Sequence, residues 1–349
     1  SGRPASVGSS RAARRNPHLT IREELAIMPT DPFVRFAVDT GGTFTDLVAE
    51  TATGAIEIHK SPTTPDDPVR GVLDVLRAAA DARGTSLAEL LGDAELFIHG
   101  TTRSVNAIIT GSTAKTALLT TEGHREILLY REGGRLEPFA HAEYPRPYVP
   151  RELTFGIPER IDSRGNVLLP LDEEAVRAAL GELRARGVEA IAVCLLWSVV
   201  NGAHEARIGE LIEAEMPGVP YTLSHRLNPV IREYRRASSA AIDASLKPLM
   251  TDYIGGLEAR LREAGFGGRV LVVSSSGGMH DAADMAQKPI HSINSGPSMA
   301  PVAGRVYGAR DARADTIIVG DTGGTTYDVS VVHGGQIPTA HPALPQRFG

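Results

Sequence analysis

The sequence has a single cysteine and no long apolar run. Cys194 lies in a continuous apolar segment, residues 190–197, where a buried strand cysteine is the ordinary interpretation. One cysteine excludes an internal disulfide and a cysteine-rich metal site, and it predicts a reducing, cytoplasmic compartment. No apolar stretch approaches the roughly 18 residues that a membrane-spanning helix needs, so we expect no membrane partner.

Positive charge is also scarce. The chain carries 36 lysines and arginines against 42 aspartates and glutamates, a net charge of -6. Nucleic acids and anionic membranes both require a basic surface, so we expect neither as a partner. The P-loop pattern is absent, as are the nucleophile elbow of serine hydrolases and the zinc-binding helix of metalloproteases.

Apolar strands alternate with helical patterns along the 349 residues, which predicts an α/β fold with two domains. We expect a disordered tail at residues 1–32, a first domain at 33–220 and the start of a second domain at 221–349. Three short strands joined by tight turns open the first domain. Residues 131–170 are rich in glycine, proline and aromatic residues and predict an irregular surface excursion. A long helix is expected over about 231–261.

A short internal repeat is the most informative feature. Residues 39–46 (DTGGTFTD) and 321–328 (DTGGTTYD) agree at six of eight positions, and each copy follows an apolar strand. Each copy predicts a β-hairpin with a glycine tip. A Gly-Gly hairpin turn is common on its own. Two copies with the same flanking aspartates and threonines favour a shared chemical role.

Phosphate binding is the role that these residue types predict. Glycines permit positive φ at the tip and close approach of phosphate oxygens, so successive backbone amides can form an anion site. The phosphate-binding candidates in the two copies are Thr40, Gly41, Gly42, Thr43, Thr45, Thr322, Gly323, Gly324, Thr325 and Thr326. A carboxylate beside phosphates requires a cation between them, so Asp39 and Asp321 are the catalytic and Mg²⁺-binding candidates.

Two further turns are candidates for the same site. His99, Gly100, Thr101 and Thr102 lie between a strand and a helix, where they could contact phosphate at the helix N-terminus. In the alternative interpretation, Thr101 or Thr102 only caps that helix. Gly296, in a Ser-Gly-Pro turn, either begins a helix or faces a nucleotide.

These motifs together resemble known ATPases. The paired hairpins resemble those of the actin, sugar-kinase and heat-shock-chaperone ATPase superfamily. More narrowly, the chain is similar to the hydantoinase A and 5-oxoprolinase family, and the similarity extends over about residues 33–332. The segments that carry it are residues 39–46, 99–106, 116–123, 228–235, 274–278, 295–297 and 320–328. Residues 130–135, 144–148 and 224–249 are more similar to the ATP-using subunits of acetone and acetophenone carboxylases.

The resemblance implies an actin-like (ribonuclease H-like) ATPase fold, with two domains around a nucleotide cleft and ATP and Mg²⁺ as cofactors. It implies an ATP-dependent hydrolase that opens a lactam or hydantoin ring after phosphorylation of its carbonyl oxygen. The alternatives are the ATP-using subunit of a ketone carboxylase, an actin- or chaperone-like ATPase, and a non-catalytic fragment. Family members are about twice as long, so we expect a truncated second domain. The missing part would be supplied by a second subunit or by a C-terminal half of the same protein.

Overall fold

The computed structural model describes residues 31–132, 146–322 and 327–338. The strands in these ranges are β1 (Phe33–Thr40), β2 (Phe44–Thr51), β3 (Ile56–Pro62), β4 (Leu96–Thr101), β5 (Thr116–Thr121), β6 (Thr154–Ile157), β7 (Arg160–Ile161), β8 (Val167–Leu169), β9 (Ala190–Cys194), β10 (Tyr221–Leu223), β11 (Arg269–Val273), β12 (Met279–Asp281), β13 (Ile317–Thr322) and β14 (Tyr327–Val332). The helices are α1 (Pro68–Arg83), α2 (Leu87–Gly92), α3 (Arg103–Thr110), α4 (Ile127–Tyr130), α5 (Glu173–Ala185), α6 (Ala203–Glu215), α7 (Ser224–Leu227), α8 (Glu233–Glu263), α9 (Ala282–Gln287) and α10 (Ser295–Tyr307). This alternation confirms the predicted α/β class. None of these helices combines the length and apolar character needed to cross a bilayer.

The first sheet has the strand order β12-β11-β4-β1-β2-β3. Its opening strands β1, β2 and β3 pair antiparallel, as predicted, whereas β4 runs parallel to both β1 and β11. Alternate residues of β1, including Phe36 and Val38, are buried against α1, as the period-two pattern requires. The parallel pairing brings the carboxyl ends of β1 and β4 together, and this edge is where the candidate site lies.

The second sheet is parallel and has the order β10-β9-β5-β6. All five residues of β9 are buried, including Cys194, as expected for a strand covered on both faces. β6 lies within residues 131–170, where we predicted an irregular excursion. That prediction was wrong for residues 154–169, because pairing stabilises strands too short to show an alternating pattern: β6 pairs parallel with β5, and β7 pairs antiparallel with β8. Residues 133–145 lie outside the described ranges.

Helix α8 packs against both sheets. Its first half contributes alanines to the core of the second sheet, and its second half contributes Leu246, Met250, Leu257 and other large residues to the core of the first. The carboxylate of Asp243, near the middle of α8, accepts hydrogen bonds from Thr222 Oγ1 (2.7 Å) and from the backbone N–H of Ile290 (3.2 Å). The helix is therefore fixed to strand β10 and to the turn before α10.

The predicted division near residue 220 does not coincide with the boundary between the sheets. Strands β11 and β12 follow residue 220 in sequence, yet they complete the first sheet by pairing with β4. The second sheet, formed by residues 116–223, is inserted between β4 and β11. The assignment of residues 33–220 and 221–349 to two domains stays a prediction.

The shared helix leads to a stability prediction. We expect Leu257→Ala to lower the free energy of unfolding by about 2–5 kcal/mol, because it leaves a cavity in the core of the first sheet. Trp197, the single tryptophan, follows β9 and reports on the second sheet by fluorescence. Because α8 belongs to both cores, the same loss of unfolding free energy should be measured when urea unfolding is followed by Trp197 fluorescence. The control Leu168→Ala, at a residue 64% exposed, should change stability by less than about 0.5 kcal/mol.

Candidate functional site

The first hairpin joins β1 and β2 through residues 41–43. Asp39 lies opposite Asp46 and Thr40 opposite Thr45 in the antiparallel register. The N–H of Gly41 donates to the carbonyl of Phe44 at 3.0 Å and closes the turn. Thr63, after β3, donates from Oγ1 to the carbonyl of Gly41 at 2.9 Å. The tip is therefore held by its own turn and by the neighbouring loop.

The glycines of this tip are needed for a reason other than the one we predicted. Neither Gly41 nor Gly42 has positive φ, so the expectation of a left-handed turn was wrong. A Cβ on Gly41 would lie 3.2 Å from the carbonyl oxygen of Phe44, whereas a Cβ on Gly42 would meet nothing within 4 Å. Gly41 therefore permits the tight turn, and Gly42 leaves open space above the backbone.

A cleft of about 260 Å³, the hairpin cleft, lies beside this tip. It is lined by Thr40, Gly41, Gly42, Thr63, Pro65, Pro68, Thr101, Thr102, Arg103, Asn106, Ala107, Thr110, Ser112 and Leu249. Hydroxyl groups, one amide and one guanidinium supply its polar atoms. The structure thus brings five predicted phosphate-binding residues together: Thr40, Gly41, Gly42, Thr101 and Thr102.

Two other predicted hairpin residues lie outside the wall of the cleft. Thr43 is exposed at the tip. Thr45 is fully buried behind it, and its Oγ1 lies 3.2 Å from Thr63 Oγ1. Since Thr63 in turn holds Gly41, Thr45 supports the wall of the cleft from behind.

The carboxylate of Asp39 lies beside the cleft and over Gly100. The two residues are partners in the parallel β1–β4 pairing, and a Cβ on Gly100 would come within 2.6 Å of Asp39 Oδ1. Gly100 therefore leaves the space that this carboxylate occupies. Partial burial, and secondly the neighbouring carboxylate of Asp46, raise the pKa of Asp39. A cation would relieve this unfavourable charge.

The opposite wall begins at the end of β4. Thr101 Oγ1 accepts a hydrogen bond from the backbone N–H of Arg103 at 3.2 Å, so Thr101 caps the first turn of α3. Thr102 makes no capping hydrogen bond, and its Oγ1 accepts one from the side-chain amide of Asn106 at 3.2 Å. The capping interpretation therefore applies to Thr101, and Thr102 has a hydroxyl at the cleft.

His99 lies in the core rather than in the cleft wall. It is fully buried, and its Nε2 lies 2.7 Å from the hydroxyl of Tyr253 on α8. Burial lowers the pKa of His99 to about 4, so its ring is neutral near pH 7. In this position His99 supports β4 from behind, and its side chain does not reach the cleft.

Arg103 is a cleft residue that sequence reasoning missed. It is the first residue of α3, and its guanidinium lies over the ring of Tyr253, 5.2 Å from the centroid. Its Nε is buried without a hydrogen-bond partner, and no carboxylate in the described ranges forms an ion pair with it. Thr40 Oγ1 is also buried and without a partner. The signal in the sequence was a basic residue directly after a Gly-Thr-Thr turn.

The second hairpin, β13–β14, repeats the register of the first. Asp321 lies opposite Asp328, and Thr322 lies opposite Tyr327, as Asp39 and Thr40 lie opposite Asp46 and Thr45. Gly323, Gly324, Thr325 and Thr326 lie outside the described residues. Asp321 and Thr322 are exposed and do not line the hairpin cleft. Their role as the second clamp stays a prediction.

Gly296 is exposed near the start of α10 and does not line the hairpin cleft. Its neighbour Ser295 donates from Oγ to the carbonyl of Thr101 at 3.4 Å. The start of α10 therefore contacts the end of β4, and α10 also packs against β13 and β14. A contact between Gly296 and a nucleotide remains a prediction.

Comparison with known proteins identifies two family regions. Residues 35–216 match the family model described as "Hydantoinase/oxoprolinase N-terminal region", and residues 236–344 match "Hydantoinase/oxoprolinase". The chain is 37% identical over 305 residues to the caprolactamase subunit alpha of Pseudomonas jessenii, covering 86% of this chain and 44% of that protein. It is 38% identical over 309 residues to the acetophenone carboxylase gamma subunit of Aromatoleum aromaticum, covering 84% and 42%.

A solved structure agrees with these matches. The crystal structure of the ATP-dependent caprolactamase from Pseudomonas jessenii superposes with a TM-score of 0.77 at 37% identity. The superposition covers 85% of this chain and 43% of that one, which confirms the fold class predicted from the sequence. The chain thus spans less than half the length of these relatives.

The contact between Asp39 and Gly100 predicts an energetic coupling. We expect Gly100→Ala to lower the free energy of unfolding by about 1–3 kcal/mol, because the new Cβ displaces the Asp39 carboxylate. In an Asp39→Ala background the same substitution should cost little. A double-mutant cycle by urea denaturation measures the difference. The control Gly181→Ala meets nothing within 4 Å and should be neutral or stabilising. Equal costs in both backgrounds would contradict the contact.

The raised pKa of Asp39 predicts a pH-dependent effect on stability. The folded state holds the Asp39 proton more tightly than the unfolded state, so unfolding free energy falls as pH rises from the ordinary aspartate pKa through the raised one. We expect Asp39→Asn to stabilise the protein at neutral pH by at most about 1 kcal/mol, because the carboxylate is only partly buried and solvent screens its charge. The advantage should disappear at low pH. Thermal unfolding of both proteins from pH 3 to 7 tests this, and a less stable variant at pH 7 would contradict it.

Proposed function

Because the chain belongs to the hydantoinase/oxoprolinase family, we propose that it carries the ATP-binding part of an enzyme that opens a cyclic amide. The hairpin cleft is the observation that supports this proposal. Its wall combines a glycine tip with hydroxyl groups, and both Thr40 Oγ1 and Arg103 Nε lack partners. Buried donors of this kind are costly unless a ligand satisfies them. An anion of phosphate type satisfies them.

The residues present fit Mg²⁺ and the phosphates of ATP. The amides of Gly41 and Gly42 and the hydroxyls of Thr40, Thr101 and Thr102 would hold phosphate oxygens. The carboxylate of Asp39 would face the cation, which removes the repulsion that raises its pKa. We extend the same role to Asp321 because its hairpin has the same register.

The chemistry of a cyclic amide explains the need for ATP. Resonance makes an amide carbonyl a poor electrophile. When bound, ATP would supply a phosphoryl group for the amide oxygen, which makes the ring carbon a stronger electrophile for water. The C–N bond would then break, the ring nitrogen would leave as an amine, and a second water would release phosphate from the acyl group. The part of this chain is to position the phosphates and neutralise their charge, the principal protein contributions to phosphoryl transfer. The caprolactamase of Pseudomonas jessenii is named for a cyclic amide, and we extend that substrate class to this protein.

A ketone carboxylase subunit is the second candidate function. The identity to the acetophenone carboxylase gamma subunit, 38%, equals that to the caprolactamase subunit within one percentage point. In this case the phosphoryl group would be transferred to an enol oxygen. Both relatives are named as subunits, and the chain spans less than half of each. We therefore propose that a second subunit, or the rest of the same polypeptide, completes the enzyme.

The first test is Mg-ATP binding by calorimetry on the 349-residue chain. We expect Asp39→Ala to weaken the affinity at least about tenfold, because the cation loses its carboxylate. The control Asp74→Ala removes an aspartate that pairs with Arg77 on the exposed face of α1, and it should bind like the unchanged chain. Equal affinity in all three proteins would contradict the proposed cation site.

Product analysis separates the two candidate functions. The completed enzyme is incubated with Mg-ATP and either a lactam or hydantoin, or a ketone with bicarbonate. An amino acid from the lactam, or an N-carbamoyl amino acid from the hydantoin, formed together with ADP supports the amidohydrolase. Carboxylated ketone supports the carboxylase instead.

A further inference from the structure

The hairpin cleft contains a single charged side chain among its lining residues, that of Arg103. All other polar groups of the wall are neutral hydroxyls, an amide and backbone atoms. The strongest electrostatic interaction that the wall can offer an anion therefore comes from one guanidinium. Its position decides which part of the ligand receives that interaction.

No anion among the described residues neutralises the guanidinium of Arg103. Its Nε is buried without a hydrogen-bond partner, and none of the described carboxylates forms an ion pair with it. Arg103 as a whole is half-buried, but its Nε is removed from water without a hydrogen bond that compensates for the loss, which is costly. A ligand oxyanion would supply both an acceptor and a counter-charge. The unpartnered Thr40 Oγ1, on a residue 5% exposed, lines the same cleft and is a second donor without an acceptor.

The ring of Tyr253 limits the orientations available to Arg103. The guanidinium lies 5.2 Å from the ring centroid, and the Tyr253 hydroxyl is bonded to His99 Nε2 at 2.7 Å. The ring is thus fixed by the buried histidine, and stacking on it restricts the planar donor group. A restricted guanidinium loses little entropy when it binds an oxyanion with two parallel hydrogen bonds.

We propose that Arg103 binds the terminal phosphoryl group of the nucleoside triphosphate and thereby distinguishes ATP from ADP. This inference rests on the proposed function and names the residue that gives the site its specificity. The terminal phosphoryl group of ATP has three free oxygens and about two negative charges. ADP, held by its inner phosphates at the glycine tip, would end one phosphoryl group short of the guanidinium. In a wall with one cation, that group gains most from the guanidinium. The glycine tip and the threonine hydroxyls, being neutral, suit the less charged inner phosphates.

Calorimetry of Arg103→Met with Mg-ATP and Mg-ADP tests the inference on the 349-residue chain. We expect ATP affinity to fall about tenfold to a hundredfold, the loss typical of a charge-assisted hydrogen bond, and ADP affinity to stay within about twofold. Arg103→Lys keeps the charge but not the planar group and should lie between these values. The control Arg77→Met removes an exposed arginine of α1 and should change neither affinity.

The possible outcomes separate this inference from the proposed function. An equal loss of ATP and ADP affinity in Arg103→Met, or no loss of either, would overturn the role of Arg103. If Asp39→Ala still weakened Mg-ATP binding in that case, the proposed function would stand. No ATP binding by the unchanged chain would overturn both.

Thermal unfolding is a further readout, because removal of an uncompensated cation should leave the ligand-free melting temperature equal or higher. If Arg103→Met instead melts lower, the ATP-to-ADP affinity ratio of Arg103→Lys decides the question. A ratio below that of the unchanged chain supports the inference, and an unchanged ratio overturns it.

Discussion

The packing of α8 against two sheets is the constraint on which the site depends. Its first half presents Ala237, Ala240, Ala241 and Ala244 to the second sheet, and small side chains let the helix approach the strands closely. Its second half carries the larger residues that fill the first core, among them Tyr253. Because Tyr253 contacts His99 and supports Arg103, the position of this one helix determines the geometry of the cleft. The packing of each core therefore helps to fix the positions of residues in the other core.

The cleft is assembled from groups that do not satisfy one another. The carboxylate of Asp39 lies opposite that of Asp46, and within the described part of the chain only Asp46 is paired with a cation, Lys60 Nζ at 2.8 Å. Thr40 and Arg103 hold donors without acceptors. These features lower the stability of the ligand-free protein. The proposed ligand, a cation with oxyanions, would compensate for them together. Such local conflict is typical of binding sites, where stability is given up for affinity.

The local elements of the fold could be predicted, and the relations between distant segments could not. Alternating apolar residues and a Gly-Gly turn identified β1 and β2, and the repeat identified the second hairpin. The direction of His99 was also available in the sequence, because a period of two places it on the same face as Phe97. The pairing of β11 with β4, and the stacking of Arg103 on Tyr253, join residues more than 140 positions apart. Nothing in local spacing encodes such contacts.

The insertion of the second sheet between β4 and β11 has a consequence for synthesis on the ribosome. The first sheet stays open on one side until the nascent chain reaches residues 269–273, which pair with β4. The second sheet is formed by strands from the continuous segment 116–223 and can assemble earlier, since its contacts are closer in sequence. The order of emergence thus favours maturation of the inserted unit before the sheet that surrounds the cleft is complete. The sheet beside the cleft is therefore complete only after residues 269–273 have emerged.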